Sequence, residues 1–113
     1  MKKLAKKRRL EIYKGALNDI LENIDINGIY RLGMCHAISR YLYKKHEDDD
    51  EILLEPSPFF GGIREYYPEL WRQRPGRHGI WWWSLHKEGT QRRIKALEKA
   101  IALIEKSGGS LNS

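Results

Sequence analysis

The sequence predicts a mainly α fold: a compact single-domain helical bundle over residues 1–113, with irregular short helices and at most a short β element around residues 79–84. Two segments, at positions 10–24 and 94–104, carry apolar residues at helical spacing. Between them, glycine and proline divide positions 56–79 into pieces too short for a long helix. A length of 113 residues fits one domain of ordinary size.

Apolar residues at alternating intervals of three and four indicate the first helix: Leu10, Tyr13, Leu17, Ile20 and Ile24. Asn27-Gly28 is predicted to follow it as a turn. A second helix is predicted over Tyr30 to Lys45, with an apolar stripe of Met34, Ile38, Tyr41 and Leu42. Gly33 is unfavourable inside a helix, so it marks either the true start or a close approach to another element.

The middle of the chain predicts loops and short helices. Residues 46–55 carry six acidic side chains and no lysine or arginine, which favours a solvated loop. Contiguous acids lack the spaced pattern of a calcium loop, so no metal site is predicted. Ser57 is expected to cap a short helix that has Pro58 at its first position, and Pro68 is expected in the first turn of another.

The final helix is indicated by Ile94, Leu97, Ile101 and Ile104, with His86 or Ser84 as the candidate cap. Before it, residues 80–83 read as a short extended segment that is flanked by chain-breaking residues and rich in strand formers. Residues 107–113 are predicted to be a disordered tail.

The net charge of +6 is concentrated at one end. Residues 1–14 carry seven lysines and arginines against one glutamate, and the rest of the chain is balanced. Residues 1–9 are therefore interpreted as a basic leader, frayed or loosely helical. Four of its side chains could contact nucleic acid: Lys6, Lys7, Arg8 and Arg9.

Several function classes are disfavoured. The single Cys35 excludes an internal disulfide and a multi-cysteine zinc site, which fits a cytoplasmic protein. The chain shows no secretory signal and no apolar run that could span a bilayer, so no membrane partner is expected. Cys35 and His36 are adjacent and diverge by about 100° on a helix, so they do not form a nucleophile–base pair. We therefore expect no enzymatic activity and no cofactor.

The strongest functional signal is the sequence around Trp81-Trp82-Trp83. In a strand or a helix, three consecutive indoles cannot share one core face, so at least one needs a ligand, a partner or a second layer of protein. Residues 70–95 also carry seven basic side chains against one acidic side chain. Aromatic faces stack on nucleobases and guanidinium groups bind phosphate. The predicted ligand-binding residues are Trp81, Trp82, Trp83, Arg77, His78, His86, Arg92 and Arg93.

Three alternatives remain for this region. Trp81 and Trp83 could belong to the core, with the arginines forming a solvated face. The tryptophans could form a protein-binding patch, since tryptophan and arginine are common interface hot spots. Otherwise the region binds an anionic nucleotide-type molecule or single-stranded nucleic acid.

The chain also resembles a group of small bacteriophage accessory proteins. The similarity lies in Gly33-Met34-Cys35-His36-Ala37-Ile38, in Trp81-Trp82-Trp83, and in a closing helix with Arg93-Ile94, Leu97 and Ala100-Ile101. Where such proteins often have Pro-Leu-Thr-Pro-Glu-Gly after the tryptophans, this chain has Ser84 to Gly89 without either proline or the threonine.

The resemblance implies a phage protein expressed in the cytoplasm of a host bacterium. Such accessory proteins commonly act against host defence, either as sponges that sequester a nucleotide signal or as direct inhibitors of a defence complex, as anti-CRISPR proteins are. The expected partner is therefore an anionic nucleotide-type molecule or, alternatively, a host defence protein or nucleic acid. A homo-oligomer with a site between subunits is possible in this interpretation.

Overall fold

A computed structural model describes residues 4–45, 57–59, 62–73 and 86–106, and these ranges contain five helices. Helix α1 spans Lys6–Glu22, α2 spans Met34–Lys45, α3 spans Gly62–Tyr66, α4 spans Pro68–Trp71 and α5 spans Lys87–Glu105. No strand occurs within these ranges. The predicted mainly α fold is confirmed. The β element expected at residues 79–84, the acidic segment 46–55 and the tail 107–113 lie outside the described residues.

Helix α1 is the centre of the packing, because it contacts both α2 and α5. Leu10, Tyr13 and Ile20 of the predicted stripe are buried, and Leu17 and Ile24 pack against the core from its edge. Ile12 and Ala16 are also fully buried. The buried face is therefore wider than one apolar stripe, as expected for a helix that has neighbours on two sides.

The turn after α1 is built around Asp25. Its carboxylate accepts hydrogen bonds from the backbone N–H groups of Asn27 and Ile29, at 2.8 and 3.0 Å. Gly28 has a φ of 77°, in the left-handed region that glycine adopts without strain. The predicted Asn27-Gly28 turn is present.

Helix α2 begins later than predicted, at Met34 rather than Tyr30. The backbone N–H of Tyr30 donates to the hydroxyl of Thr90, and its carbonyl accepts from Arg93. Tyr30 is thus bonded to α5 and not to its own chain neighbours. Gly33 directly precedes the helix, and its carbonyl accepts the hydrogen bond from Ala37 at 3.1 Å.

One of the short helices also begins at a different residue from the predicted one. Ser57 does not cap a helix at Pro58. Its hydroxyl accepts from the N–H of Phe59 at 3.1 Å, and the carbonyl of Phe59 accepts from Gly62, where α3 starts. Pro68 is in the first turn of α4, as predicted.

Helix α5 buries a face rotated from the predicted one. Ile94 and Ile101 are only partly buried, whereas Arg93, Ala96 and Ala100 face the core beside Leu97 and Ile104. The radius of gyration is 13.6 Å, close to the value of about 13 Å for a compact chain of this length. None of the described helices is long and apolar enough to cross a membrane.

Candidate functional site

The candidate site is the start of α5, the first described element after the tryptophans in the sequence. His86 occupies the N-cap position with an extended backbone, and its side chain makes no capping hydrogen bond. The cap expected from His86 is therefore not formed, and Ser84 lies outside the described residues. His86, Lys87 and Arg92 are exposed to solvent.

A buried polar network holds this end of α5 against the connection between α1 and α2. The Thr90 hydroxyl accepts from the N–H of Tyr30 at 2.9 Å and from the guanidinium of Arg93 at 3.2 Å. Arg93 also donates to the carbonyl of Tyr30 at 2.9 Å. Thr90 and Arg93 are fully buried, so these bonds are shielded from water.

The network continues to α1 and α2 through the Tyr30 side chain. The Tyr30 hydroxyl donates to the carboxylate of Asp19 at 2.6 Å, and Arg40 donates to the same oxygen at 3.0 Å. Burial and the neighbouring Asp19 carboxylate raise the pKa of Tyr30. The phenol therefore remains a neutral donor at physiological pH.

Lys87 also packs against the turn after α1. A side chain at Gly28 would place its β-carbon 3.3 Å from Cε of Lys87, so the lysine stem lies across the glycine. The first turn of α5 is thus fixed from two sides, by Lys87 outside and by Thr90 inside. The backbone that carries the exposed cationic groups is therefore held in place before a ligand binds, which lowers the part of the binding cost that comes from ordering the chain.

The predicted ligand-binding residues fall into three groups. Arg77, His78, Trp81, Trp82 and Trp83 lie outside the described residues. His86 and Arg92 are at the surface, and Arg92 pairs with Glu88 at 2.9 Å with both side chains more than half exposed. Arg93 does not fit the expectation that it reaches a phosphate at the surface, because its side chain is fully buried.

Burial changes the role of Arg93. Desolvation lowers the pKa of its guanidinium, but arginine starts so far above neutrality that the group stays charged. The buried cation thus positions the start of α5 and adds positive potential beneath its surface. Arg92 and Arg93 point in different directions because neighbouring helical residues diverge by about 100°.

The basic leader, the alternative nucleic-acid site, is also partly structural. Lys6 to Arg9 form the first turn of α1. Arg9 is buried and donates two hydrogen bonds to Glu69, at 2.8 and 2.7 Å, and Arg8 pairs with Glu11 at 3.0 Å. Among these four cations Lys7 is the exposed one and Lys6 is half-buried. Arg9 is therefore removed from the proposed contact set.

Cys35 and His36 have separate environments, as expected for adjacent helical residues. The Cys35 thiol donates to the carbonyl of Pro58 at 3.4 Å, and burial raises its pKa. The His36 ring lies edge-on to Phe59, with ring centroids 5.3 Å apart. Within the described ranges, no group of three His, Cys, Asp or Glu side chains could hold a metal ion.

The sequence contained one unused signal for the network. Thr90, Arg93, Leu97, Ala100 and Ile104 follow the 3, 4, 3, 4 spacing of a buried helical face. Charge led us to place Arg93 on the surface, but periodicity favours the core. The partners Asp19 and Tyr30 carry no comparable signal, because the network depends on tertiary contacts with residues far away in the sequence.

Comparison with protein-family models, with curated proteins and with solved structures finds no match.

Proposed function

We propose that this protein is a non-enzymatic binding protein that captures an anionic nucleotide-type molecule beside the start of α5. The supporting observation is the pair of exposed groups, His86 and Arg92, on a helix end that a buried network holds in place. The phage resemblance suggests that the captured molecule is a defence signal in the host cytoplasm. In that setting the protein acts as a sponge.

The covalent chain keeps the tryptophans near the start of α5. Trp83 and His86 are three positions apart in the sequence. An extended chain advances at most about 3.6 Å per residue, so the two α-carbons are within about 11 Å of each other in any conformation. One nucleotide can bridge such a distance, with its base on an indole and its phosphate on the cationic groups.

Arg92 is suited to exchange its partner for a phosphate. Its ion pair with Glu88 is exposed, and exposed pairs contribute only about 0–1 kcal/mol. A phosphate presents more acceptor oxygens and more charge than one carboxylate, and a guanidinium binds it through two parallel hydrogen bonds. The Arg93 charge beneath the surface adds to the attraction and is screened less by salt than an exposed charge.

Calorimetry against cyclic nucleotides, linear nucleotides and nicotinamide-derived nucleotides tests this proposal. We expect at least one of them to bind, and Arg92→Gln should weaken its binding by about tenfold or more, because hydrogen bonds between charged groups contribute about 1.5–3 kcal/mol. Replacing Trp81, Trp82 or Trp83 with leucine should weaken the binding of the same ligand. Arg72→Gln, at an exposed arginine of α4, is the matched control and should leave affinity unchanged.

Absence of binding to the whole panel at high micromolar concentration would reject the nucleotide proposal. So would equal losses in Arg92→Gln and Arg72→Gln, because affinity would then depend on net charge alone. Native mass spectrometry of the freshly purified protein reports in parallel whether a small molecule is retained and whether the protein is a homo-oligomer.

A second candidate function is direct inhibition of a host defence protein. Three large apolar side chains support it by their exposure: Leu21, Ile26 and Tyr43, of which Ile26 is fully exposed. This candidate predicts a stable complex with a host protein that survives Arg92→Gln and is lost when Ile26 and Tyr43 are replaced by serine. Nucleotide capture predicts the reverse pattern.

A further inference from the structure

A line of cationic side chains runs along the exposed side of α5, beyond the candidate site. We call it the cationic track, and it consists of Arg92, Lys95, Lys99 and Lys106, all exposed. At about 100° per residue, the four positions fall within about 60° of one another around the helix. At 1.5 Å per residue the track is about 21 Å long.

Most of the track has no internal partner. In the described part of the chain, no ion pair or side-chain hydrogen bond involves Lys95, Lys99 or Lys106. Glu98 and Glu105 lie about 60–80° beyond the edge of the track, measured around the helix axis from Lys95. Glu105 pairs with Lys14 on α1 at 3.5 Å. Among the four cations of the track, Arg92 has an ion pair in the described part of the chain, with Glu88.

Neighbouring cations of the track repel one another along α5. Arg92 and Lys95 are three residues apart and Lys95 and Lys99 are four apart, the spacings at which like charges repel on a helix. The opposite face, with Leu97, Ala100 and Ile104, is buried in the core and keeps the helix fixed. A fixed helix thus presents repelling cations to solvent, an arrangement that an external polyanion stabilises.

We propose that the cationic track binds the phosphate backbone of a nucleic acid. Its length of about 21 Å corresponds to roughly six nucleotides of a strand that rises 3.4 Å per nucleotide. A membrane surface is disfavoured, because surface-bound helices insert an apolar face. The apolar face of α5 is in the core, and only Leu103 is exposed beside the track. The inference does not rest on nucleotide capture.

Fluorescence anisotropy with a short mixed-sequence DNA duplex tests this inference on the full chain. Each phosphate contact contributes about −0.9 to the slope of log affinity against log salt. Lys95→Gln/Lys99→Gln should therefore reduce the slope by about 1.8 and weaken binding about 60-fold at 0.1 M salt. Glu98→Gln removes a neighbouring negative charge and should strengthen binding.

The matched control is Lys6→Gln/Lys7→Gln, which removes the same charge from the leader and should change the slope less. Circular dichroism and thermal melting verify that each variant remains folded. An unchanged slope in Lys95→Gln/Lys99→Gln overturns the proposal, as does a wild-type chain that does not bind the duplex. A larger effect at Lys6 and Lys7 also overturns it, because the leader would then be the contact. Tighter binding to anionic lipid vesicles, with the same dependence on Lys95 and Lys99, would assign the track to membranes instead.

Both proposals can be separated in one set of variants. Nucleotide capture depends on the tryptophans and is insensitive to Lys95 and Lys99. Backbone binding depends on these lysines and is retained when the tryptophans are replaced by leucine. Failure of one measurement therefore leaves the other interpretable.

Discussion

Glu69 accepts three hydrogen bonds inside the protein, all from side chains of α1. The Arg9 guanidinium donates two, at 2.8 and 2.7 Å, and the Tyr13 hydroxyl donates one at 2.9 Å. Both members of the ion pair are about nine-tenths buried. Arg9 also donates to the carbonyl of Leu4, so it connects the start of the described chain to α4.

Breaking this pair should be costly. Glu69→Gln leaves the Arg9 charge buried opposite a neutral group, and loss of one partner from a buried pair costs about 3–5 kcal/mol. We expect the free energy of unfolding, measured in urea, to fall by about 3 kcal/mol. The control is Glu88→Gln, at the exposed pair with Arg92, which should change stability by no more than about 0.5 kcal/mol. Similar small effects in both variants would show that the Glu69 pair contributes little.

The pH dependence of the free energy of unfolding tests whether the charge of the Glu69 carboxylate causes this loss of stability. Burial alone would raise the pKa of Glu69, but the hydrogen bonds from Arg9 and Tyr13 outweigh it and hold the pKa below its ordinary value. The contribution of Glu69 is therefore complete above the unfolded pKa of about 4.3 and is lost as pH falls further, towards the folded pKa. The stability difference between wild type and Glu69→Gln should shrink below about pH 4. A constant difference down to about pH 3 would assign it to packing.

Helices α1 and α2 approach closely at Gly15. A β-carbon there would lie 2.1 Å from two ring atoms of Tyr41, well inside van der Waals contact. Gly15→Ala should therefore destabilise the protein by about 1–3 kcal/mol through overpacking, despite the better helix propensity of alanine. The measurement is chemical unfolding of the single variant.

The ring of Tyr41 is the specific obstacle, so its removal should reverse the sign. In a Tyr41→Ala background, Gly15→Ala should be neutral or stabilising by up to about 1 kcal/mol. The double-mutant cycle isolates this contact from other effects of each substitution. If Gly15→Ala destabilises both backgrounds equally, the helices are not limited by this contact.

Periodicity predicted the helices better than their boundaries or their buried faces. Apolar spacing identified α1 and α5, since repeated contact with one core produces a repeated pattern. The predicted start of α2 at Tyr30 was wrong, because the Tyr30 backbone is hydrogen-bonded to Thr90 and Arg93 of α5 and does not belong to the helix. The residues near Tyr30 in the sequence form no pattern that predicts its contact with α5.

At the scale of the molecule, a hydrogen bond from the Tyr30 backbone to Thr90, the single threonine of the protein, connects the segment before α2 to α5. Thr90→Val keeps the side-chain shape and removes the acceptor, which leaves the buried N–H of Tyr30 without its bond. We expect a loss of about 1–3 kcal/mol and faster hydrogen exchange at the Tyr30 amide.

Thr90→Ser is the control for this prediction, because it retains the hydroxyl and loses one methyl group, worth about 0.8 kcal/mol. The Tyr30 amide should stay protected in Thr90→Ser. Equal exchange rates in the valine and serine variants would contradict a role for the hydroxyl.

The sequence predicted which basic side chains lie at the surface only in part. The clustering of basic residues over positions 70–95 predicted surface positions for His86 and Arg92, and both are exposed. Arg93 and the leader's Arg9 were assigned to surfaces from charge alone, yet both are buried. Their acceptors include Glu69 and the carbonyl of Tyr30, about sixty residues away in the sequence, and only the folded chain brings these groups together.

That separation has a consequence for synthesis. Arg9 leaves the ribosome 60 residues before Glu69, and Tyr30 precedes Thr90 by the same distance. At 5–20 residues per second, each first partner waits roughly 3–12 s for its second. During that interval α1 has neither the carboxylate for Arg9 nor the α5 surface for its apolar face. The faces of α1 that contact α4 and α5 therefore stay uncovered until those helices have emerged, and the core is completed only then.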